Sequence, residues 1–474
     1  MGINKKSNLT LVDDIGVLYL SDHKMIRAIN NIAASEVKKL LASGLINELI
    51  SRRLFPRTEI SSIMMKDYAL VLEHEKIDPV IYPFEWSPEM LRLATLCILQ
   101  VNEVANKFGY ELKDAHPYNV LFKYQKPMFV DFGSFVKLQL PGGWIAYDEF
   151  LGSFLYPLLL CKRKLKRLYK HMYLIGGVAI GKEEFAAINN PIFRFLGVQI
   201  TGRLFSLFAK YRRGANIPIE KINARFESSL LRIFARFILR SKWLPGKKIN
   251  FQVLRKRIKS INFRTRSMWA DYHKQAGFYS NNGDIKLTPR MTWILDNIKE
   301  LRPKTVLELG GNQGILSRVI SKLPYIERVI CTDYDDNAID TLLLNVKDDE
   351  KLFMACFNFM GEAWQRLSNE RANRINSEMV IALAVTHHLI LGQHYNIEQI
   401  ISSIKSYSSK YVIIEFMPLG LWDGAYAPPL PDWYNEKWFV DNLKCHCEII
   451  HRKQLEENRI AFVGKIKDES GLTV

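Results

Sequence analysis

The stretch KTVLELGGNQGILSRVISKL, residues 304–323, decides the fold of the C-terminal third of this 474-residue chain. It combines a short apolar run typical of a buried strand, a glycine-dense turn, and apolar residues at helical spacing. A second buried-strand pattern, ERVICTDYDD at residues 327–336, follows it and contains Asp333. Strand, turn, helix and second strand together predict a βαβ unit that binds a nucleotide-like ligand.

The glycine-dense turn predicts how such a ligand is held. Gly310, Gly311 and Gly314 would let the backbone approach the ligand closely. Asp333, at the end of the second strand, could accept hydrogen bonds from two ribose hydroxyls. Glu308 leads the turn, and its carboxylate would repel a pyrophosphate but suits a cationic ligand.

The run ELGGNQG at residues 308–314 resembles motif I of class I S-adenosylmethionine-dependent methyltransferases, with Asn312 in place of the middle glycine. The resemblance implies S-adenosylmethionine as the cofactor. A third strand is predicted in the stretch 351–360 and is expected to end at Asn358, where family members usually carry Asp. The resemblance implies an adenine contact there. The implied cofactor-binding residues are Glu308, Gly310, Gly311, Asn312, Gly314, Asp333 and Asn358.

Two further strands are predicted at residues 378–391 and 410–418. The alternation of strands and helices predicts an α/β fold, a Rossmann-like doubly wound sheet, and the methyltransferase resemblance implies seven strands. In such sheets, ligands bind beyond the carboxyl ends of the strands. Thr386, His387 and His388, predicted at the end of the fourth strand, are therefore expected beside the methyl acceptor.

Methyl transfer to a hydroxyl requires a group that removes the hydroxyl proton. Histidine suits this task because its ordinary pKa lies near neutrality. We therefore expect His387 or His388 to be the general base. The other would pack in the core, since adjacent residues of a strand face opposite ways. Glu415, at the end of the fifth strand, is expected to orient the base or to bind the acceptor.

The chain also resembles a bacterial methyltransferase family that includes rhizobial host-specificity nodulation proteins. The resemblance implies methyl transfer but does not identify the acceptor. It extends into the N-terminal half, where YPFEW and LKDAHPYN belong to it. In the C-terminal third it rests on SMWADYHKQAGFYS (267–280), VLELGGNQG (306–314), ALAVTHHLIL (382–391) and IIEFMPLGLWDG (413–424).

The N-terminal half carries a second motif, LKDAHPYNVLFKYQKPMFVDFGSF at residues 112–135. It places Asp114 five residues before Asn119, and Asn119 twelve residues before Asp131. This spacing resembles the sites of protein kinases and aminoglycoside phosphotransferases. The resemblance implies that Asp114 is the base, that Asn119 and Asp131 hold Mg²⁺, and that ATP is the phosphoryl donor.

The N-terminal half also departs from the kinase pattern. No convincing glycine-rich phosphate loop precedes the motif, and only Lys24 and Glu36 could stand in for the strand lysine and helix glutamate of a kinase. Three interpretations stay open: a degenerate kinase fold that serves as a binding module, an active small-molecule or glycan kinase, and an accidental motif match.

Three domains are predicted, and the N-terminal part is expected to be α+β with a helical extension. They are a reduced kinase-like small lobe (1–81), a kinase-like helical large lobe with a basic extension (82–265) and a class I methyltransferase domain (266–474).

The formal charge of +17 is concentrated in one segment. Residues 161–265 hold 25 basic and four acidic residues, so the rest of the chain is close to neutral. Within this segment Arg232, Arg236 and Arg240 form a basic stripe on an otherwise apolar predicted helix. The stripe is interpreted as the solvated face of a core helix, or as a contact with an anionic membrane surface or a lipid-linked glycan. Nucleic acid is the least favoured partner, because no nucleic-acid-binding module is recognised.

Localisation and metal binding are predicted from sequence signals that the chain does not contain. No apolar run approaches the roughly 18 residues that cross a bilayer, and the N-terminus lacks the apolar stretch of a signal peptide. We therefore expect a cytoplasmic protein, with peripheral binding at the inner face of the membrane as the alternative. Six scattered cysteines do not suggest a disulfide framework, and the spacing of Cys445 and Cys447 suits a strand better than a zinc site.

The leading functional hypothesis is S-adenosylmethionine-dependent methyl transfer, directed to an oxygen of a glycan or small metabolite, with a kinase-like accessory domain. One alternative is a bifunctional enzyme that phosphorylates and methylates a saccharide end. Another is a protein whose kinase-like region only binds its ligand.

Overall fold

The computed structural model describes residues 14–21, 24–139, 143–176, 179–190, 195, 197–200, 203, 249–263, 285–346, 348–360, 365–422 and 424–467. The chain divides into two compact units built from discontinuous stretches of sequence. The first comprises Met1–Lys76, Leu91–Leu121 and Pro127–Phe263, and the second comprises Ile77–Met90, Phe122–Lys126 and Arg264–Val474. Two stretches from the N-terminal half therefore fold with the C-terminal unit.

The first unit begins with a small sheet and two helices. Their bounds are β1 (Gly16–Leu20), β2 (Lys24–Ile29), α1 (Ala34–Ala42), α2 (Leu45–Ser51), β3 (Thr58–Ile60) and β4 (Leu70–Glu75). The four strands are antiparallel and lie in the order β1-β2-β4-β3. Helix α1 forms because apolar residues recur at helical spacing, and it buries Ala34, Val37 and Leu40.

The chain continues through a turn of 3-10 helix, a long helix and two strand pairs. These elements are the turn Pro83–Glu85, α3 (Pro88–Lys107), β5 (Tyr110–Leu112), β6 (Val120–Lys123), β7 (Lys126–Phe129) and β8 (Phe135–Lys137). Strand β5 pairs with β8, and β6 pairs with β7. Asp114 therefore lies just after β5, whereas Asp131 lies between β7 and β8.

Further described helices complete the first unit. They are α4 (Tyr147–Phe150), a π-helical turn (Leu151–Leu155), α5 (Tyr156–Lys162), α6 (Lys166–Leu174), α7 (Lys182–Asn189) and α8 (Phe251–Lys259). This unit mixes helices with antiparallel strands. Its kinase-like identity stays a prediction.

The second unit is a seven-stranded mixed sheet covered by helices. Its strands are β9 (Thr305–Leu309), β10 (Arg328–Asp333), β11 (Leu352–Cys356), β12 (Ser377–Ala382), β13 (Ser408–Phe416), β14 (Cys447–Glu456) and β15 (Arg459–Ile466). They lie in the order β11-β10-β9-β12-β13-β15-β14, with β9 to β13 parallel and β15 antiparallel to both neighbours. The predicted seven-stranded Rossmann-like sheet is confirmed.

One helix of the second unit precedes the first parallel strand, and the others follow the parallel strands. Their bounds are α9 (Pro289–Leu301), α10 (Ile315–Ile320), α11 (Asp336–Asn345), α12 (Gln365–Ile375), a π-helical turn (His388–Gly392), α13 (Ile397–Ser406) and α14 (Glu436–Lys444). The parallel strands are almost continuously apolar because both faces of the sheet are covered. The strand order reverses between β9 and β12, and this switch point is where such sheets bind ligands.

The fourth strand is shorter than the sequence predicted. It ends at Ala382. Ala384 then adopts a left-handed backbone conformation (φ 53°) that turns the chain away from the sheet. Thr386 and His387 consequently begin a helical segment that continues into the π-helical turn, so the two histidines are not neighbours on a strand.

Two other predictions concern membrane-spanning helices and the arginine stripe. None of the helices in the described ranges is long and apolar enough to cross a membrane. The predicted arginine stripe of Arg232, Arg236 and Arg240 lies outside the described residues.

Candidate active site at the carboxyl ends of the parallel strands

The turn between β9 and α10 has a backbone that needs glycine. Gly310 adopts a φ of 71°, and a Cβ atom there would lie 2.6 Å from Cγ1 of Val385. Gly311 has an ordinary φ, but its Cβ would lie 2.6 Å from the Cys331 sulfur and 2.9 Å from Cδ of Glu308. These two glycines are therefore required by packing, independently of any ligand.

Asp333 is tied to this turn by its carboxylate. Oδ2 accepts a hydrogen bond of 2.8 Å from the backbone N–H of Asn312, and Oδ1 accepts one of 2.7 Å from that of Asp335. Asn312 adopts a φ of 51°, which asparagine tolerates better than most residues. Burial raises the pKa of Asp333 to about 6, so the carboxylate is mostly ionised at neutral pH.

Glu308 begins the turn and points back into the fold. It is 5% exposed, and Oε2 accepts hydrogen bonds from the hydroxyl of Ser317 (2.5 Å) and from its backbone N–H (3.2 Å). Burial raises the pKa of Glu308 to about 7 although these two bonds and Arg290 act in the opposite direction. The Glu308 side chain thus accepts a backbone N–H group from the first turn of α10.

Asn358 lies two residues beyond the end of β11. Its Oδ1 accepts a hydrogen bond of 2.9 Å from the backbone N–H of Met360. The preceding residue, Phe357, donates its N–H to the carbonyl oxygen of Asp333 at 3.1 Å. The loops that follow β10 and β11 therefore begin next to each other. Asn358, the predicted adenine contact, lies in the second of these loops.

His387 and His388 lie side by side in the helical segment that follows β12. Their ring centroids are 4.0 Å apart. His387 is 5% exposed, and its Nδ1 has no hydrogen-bond partner among the described residues. Burial lowers the pKa of His387 to about 3, helped by the charges of the neighbouring His388 and of Arg459, and burial also lowers the pKa of His388. His387 is therefore a neutral imidazole at physiological pH.

Glu415 is surrounded by donors from the protein itself. Arg290 donates Nε to Oε1 at 2.6 Å and Nη2 to Oε2 at 2.7 Å. The backbone N–H of Ala384 (2.9 Å) and Nη1 of Arg459 (3.4 Å) also contact Oε2. The Glu415 carboxylate is fully buried. Of the two predicted roles, this geometry favours orienting the site over binding the acceptor.

Arg290 and Arg459 are site residues that the sequence did not reveal. Arg290 lies at the start of α9 and Arg459 begins β15, so they are far from each other and from Glu415 in the chain. Their side chains are 12% and 13% exposed. No local pattern marks either residue, because its role depends on a partner that only the fold supplies.

The predicted kinase-like residues are partly brought together. Nδ2 of Asn119 lies 3.5 Å from Oδ2 of Asp131, and Oδ1 of Asp131 accepts the N–H of Gly133 at 3.0 Å. Asp114 accepts the N–H of His116 at 2.8 Å, and its charge acts on Asp131. Burial raises the pKa of Asp131.

Arg27 and His74 also belong to this cluster, although the sequence did not single them out. Both are buried, and strand pairing puts them on the same face of the sheet. The charge of Arg27 partly offsets the rise in the pKa of Asp131. His74 Nδ1 lies 2.8 Å from Oγ1 of Thr58, and Nε2 has no hydrogen-bond partner in the described part of the chain.

Lys24 and Glu36, the suggested stand-ins for a kinase lysine and glutamate, do not pair with each other. Lys24 forms an ion pair with Glu73, and Glu36 lies 2.6 Å from Lys39. The side chains of Lys24, Glu36 and Lys39 are each more than half exposed. Arg27, three residues beyond Lys24 on the same strand, is the buried cation instead.

Metal ligands are not clustered elsewhere in the part of the chain that the structure describes. There, no group of three or more His, Cys, Asp or Glu side chains is arranged to hold a metal ion. Cys445 is exposed and precedes β14, whereas Cys447 is buried and begins that strand.

Comparison with known proteins finds one distant relative of known sequence. No protein-family model matches the chain. The nodulation protein NoeA of Rhizobium meliloti (strain 1021) is 22% identical over 429 residues, which cover 86% of this chain and 83% of NoeA. The similarity to a nodulation protein agrees with the resemblance found in the sequence.

Several of the solved structures that match are methyltransferases, each aligned to less than half of this chain. An S-adenosylmethionine-dependent methyltransferase from Clostridium acetobutylicum ATCC 824 is 12% identical, with 41% of this chain and 98% of that chain covered, at a TM-score of 0.31. The N-methyltransferase NodS from Bradyrhizobium japonicum WM9 is 12% identical, with 38% and 95% covered, at a TM-score of 0.30.

Proposed function

We propose that the second unit is an S-adenosylmethionine-dependent methyltransferase. The supporting observation is that carboxylates flank the glycine turn on both sides. Glu308 and Asp333 accept the backbone N–H groups of Ser317 and Asn312, which a dinucleotide site would offer to a pyrophosphate. An anionic dinucleotide would be repelled, whereas a ribose-bearing cation suits this turn.

The residues present fit this cofactor. Asp333 would accept the ribose hydroxyls, Asn358 would contact the adenine, and the backbone from Gly310 to Gly314 would line the cofactor. When bound, S-adenosylmethionine supplies an electrophilic methyl group. Everything else in the reaction falls to the side chains that align the acceptor and take its proton.

We assign proton removal to the histidine pair and favour a hydroxyl acceptor on a glycan or small metabolite. His387 is kept neutral by burial, by His388 and by Arg459, and with a pKa of about 3 it is a weak base. It would therefore take the hydroxyl proton as the methyl group arrives, when the oxygen becomes strongly acidic. Nδ1 of His387 has no hydrogen-bond partner among the described residues, and a neutral imidazole nitrogen can act as a donor or an acceptor. Glu415 acts on this site through Arg290 and Arg459 and is a positioning residue.

A second function, phosphoryl transfer from ATP with Mg²⁺, is favoured by one observation in the first unit. The Asn119 amide lies beside the Asp131 carboxylate, with Nδ2 3.5 Å from Oδ2, and an amide that turned its oxygen to the same side would complete an oxygen pair that suits Mg²⁺. Arg27 is a buried cation whose charge acts on Asp131, and it could stabilise phosphate charge as well. The alternative within this proposal is that the first unit binds ATP without transferring phosphate.

Titration calorimetry tests the methyltransferase proposal. Wild type should bind S-adenosylmethionine, and Asp333→Asn should weaken binding by at least about tenfold, because a charge-assisted hydrogen bond is lost. Asp296→Asn, on the exposed surface of α9, is the matched control and should bind normally. Absence of binding to wild type, or tighter binding of NAD⁺, contradicts the proposal.

The phosphoryl-transfer proposal has its own assay. Mg²⁺-dependent ATP binding should be lost in Asp131→Asn and kept in Asp148→Asn, whose side chain is 79% exposed. Turnover would additionally require Asp114, so Asp114→Asn should bind ATP without transferring phosphate. ATP binding that is indifferent to Asp131→Asn rejects this second function.

A further inference from the structure

One surface of the first unit combines positive charge with exposed aliphatic side chains. Residues 162–181 contain six Lys or Arg and no acidic residue. We call a set of seven exposed residues in and beside helix α6 the α6 surface. It consists of the exposed residues Lys162, Arg163, Lys164, Leu165, Arg167, Leu168 and Ile175.

The aliphatic members of the α6 surface are exposed to solvent. Leu165 is 39% exposed, Leu168 42% and Ile175 75%. Leu168 lies on α6, and Leu165 and Ile175 flank the two ends of that helix. Exposed aliphatic side chains set among basic residues suit a partner that offers both negative charge and an apolar layer.

The helix that carries this surface is firmly held from its other side. Tyr169 and Tyr173 are fully buried. The hydroxyl of Tyr173 donates to the Ser153 carbonyl at 2.5 Å, and the carbonyl of Tyr173 accepts the Tyr118 hydroxyl at 2.6 Å. The exposed aliphatic side chains are therefore presented on a fixed support.

A groove lies beside the α6 surface. Its volume is about 830 Å³, and its lining consists of Arg163, Leu165, Glu184, Ala187, Ile188 and Val198. Four of these six residues are aliphatic, and Arg163 supplies a cation at the wall. Glu184 accepts the N–H of Gly181 at 2.8 Å and so caps α7. An apolar groove beside a guanidinium matches an acyl chain with an anionic headgroup.

We propose that the α6 surface docks this protein on a membrane containing anionic phospholipid. Its lysines and arginines attract the headgroups, and Leu165, Leu168 and Ile175 enter the boundary between headgroups and acyl chains. A nucleic acid would use the charge but offers no apolar layer for the aliphatic side chains, which is why lipid is the favoured partner. This inference is independent of the methyltransferase proposal.

Vesicle flotation of the full chain tests the surface. Wild type should float with vesicles of phosphatidylcholine and 30% phosphatidylglycerol but not with phosphatidylcholine alone. The triple change Arg163→Gln, Lys164→Gln and Arg167→Gln should weaken binding about a hundredfold, since each basic residue near such a surface contributes a factor of about five. The change Leu165→Gln, Leu168→Gln and Ile175→Gln should weaken it as well, without altering its salt dependence.

A matched charge control separates this surface from net charge. Lys299→Gln, Lys304→Gln and Lys437→Gln remove the same charge from exposed positions in the second unit and should leave flotation unchanged. Circular dichroism and thermal melting should show that all three variants fold. Equal flotation of the wild type and the basic variant overturns the proposal. So does tighter binding to an RNA or DNA oligonucleotide that the aliphatic variant retains.

Discussion

Arg290 and Glu415 form a two-bond ion pair that joins the start of α9 to the end of β13. The bonds measure 2.6 Å and 2.7 Å, the carboxylate is fully buried, and the arginine side chain is 12% exposed. Arg459 contacts the same carboxylate. One glutamate thus holds two guanidinium groups at the carboxyl ends of the parallel strands, beside the histidine pair.

Glu415→Gln should therefore destabilise the protein strongly. Removing one partner of a buried ion pair costs about 3–5 kcal/mol, because the remaining charge stays desolvated. Urea unfolding measures this loss. Glu436→Gln is the matched control, since Glu436 and Arg452 form a similar two-bond pair that is exposed, and its loss should cost less than about 1 kcal/mol. Equal losses of unfolding free energy in the two variants would contradict the role of Glu415 as the buried partner of an ion pair.

The stability of the second unit should fall as pH rises through the pKa of Glu308. In the folded protein this pKa is about 7, above the 4.5 of a free glutamate, so protonation stabilises the fold. The contribution is complete below pH 4.5 and is lost by about pH 7, at a size of about 3 kcal/mol. Glu308→Gln removes the titration, so unfolding free energies of variant and wild type should diverge over this window. Parallel curves would show that Glu308 does not titrate there.

Methyl transfer should depend on His387 without a titration near pH 6.5. Because the pKa of His387 is about 3, the imidazole is already neutral across the physiological range. His387→Ala should lower the rate about 100-fold or more while S-adenosylmethionine binding persists. Transfer of labelled methyl groups to a cell extract measures the rate. His388→Ala is the paired variant, and a larger loss there would make His388 the base.

Gly310→Ala should damage the cofactor turn. The added Cβ would lie 2.6 Å from Val385, and the φ of 71° strains any side chain. Overpacking of this kind costs about 1–3 kcal/mol and should also reduce S-adenosylmethionine binding. At Gly392 an added Cβ meets nothing within 4 Å, so Gly392→Ala should be neutral in melting and in calorimetry. Normal cofactor binding by Gly310→Ala would argue against a ligand at this turn.

The segment Ile77–Met90 should be needed by the second unit. Glu85 is fully buried and bonds Arg371 (2.6 Å) and Arg374 (2.7 Å), and the Arg371 guanidinium lies 4.3 Å from the ring centroid of Phe357. Glu85→Gln should cost about 3–5 kcal/mol and weaken cofactor binding, since Phe357 precedes Asn358. Unfolding and calorimetry measure both effects.

A fragment of residues 264–474 extends this prediction. It lacks Glu85 and should be less stable than the full chain, because Arg371 and Arg374 lose their buried partner. Glu398→Gln, at a side chain 56% exposed, is the control for Glu85→Gln and should change little. A stable fragment that binds S-adenosylmethionine normally would contradict this role.

Most of the sheet could be predicted because its signals are local. The buried runs of β9 to β13 and the glycine turn are recognisable from the residues themselves, since strand burial and positive φ leave marks in neighbouring positions. The end of the fourth strand could not be predicted in this way. Alanine gives no sign of a left-handed conformation, yet Ala384 adopts one and moves His387 off the strand.

By itself the sequence determined the α/β order, the glycine turn with its two carboxylates, and the pairing of an aspartate and an asparagine in the N-terminal motif. Only the tertiary structure decided that Glu415 holds Arg290 and Arg459, that Arg27 lies beside Asp131, and that Glu85 belongs with the C-terminal unit. The physical reason is the separation along the chain between the residues that interact. Periodic burial and backbone conformation are set by near neighbours, whereas a buried charge is stable only where folding brings a distant partner to it.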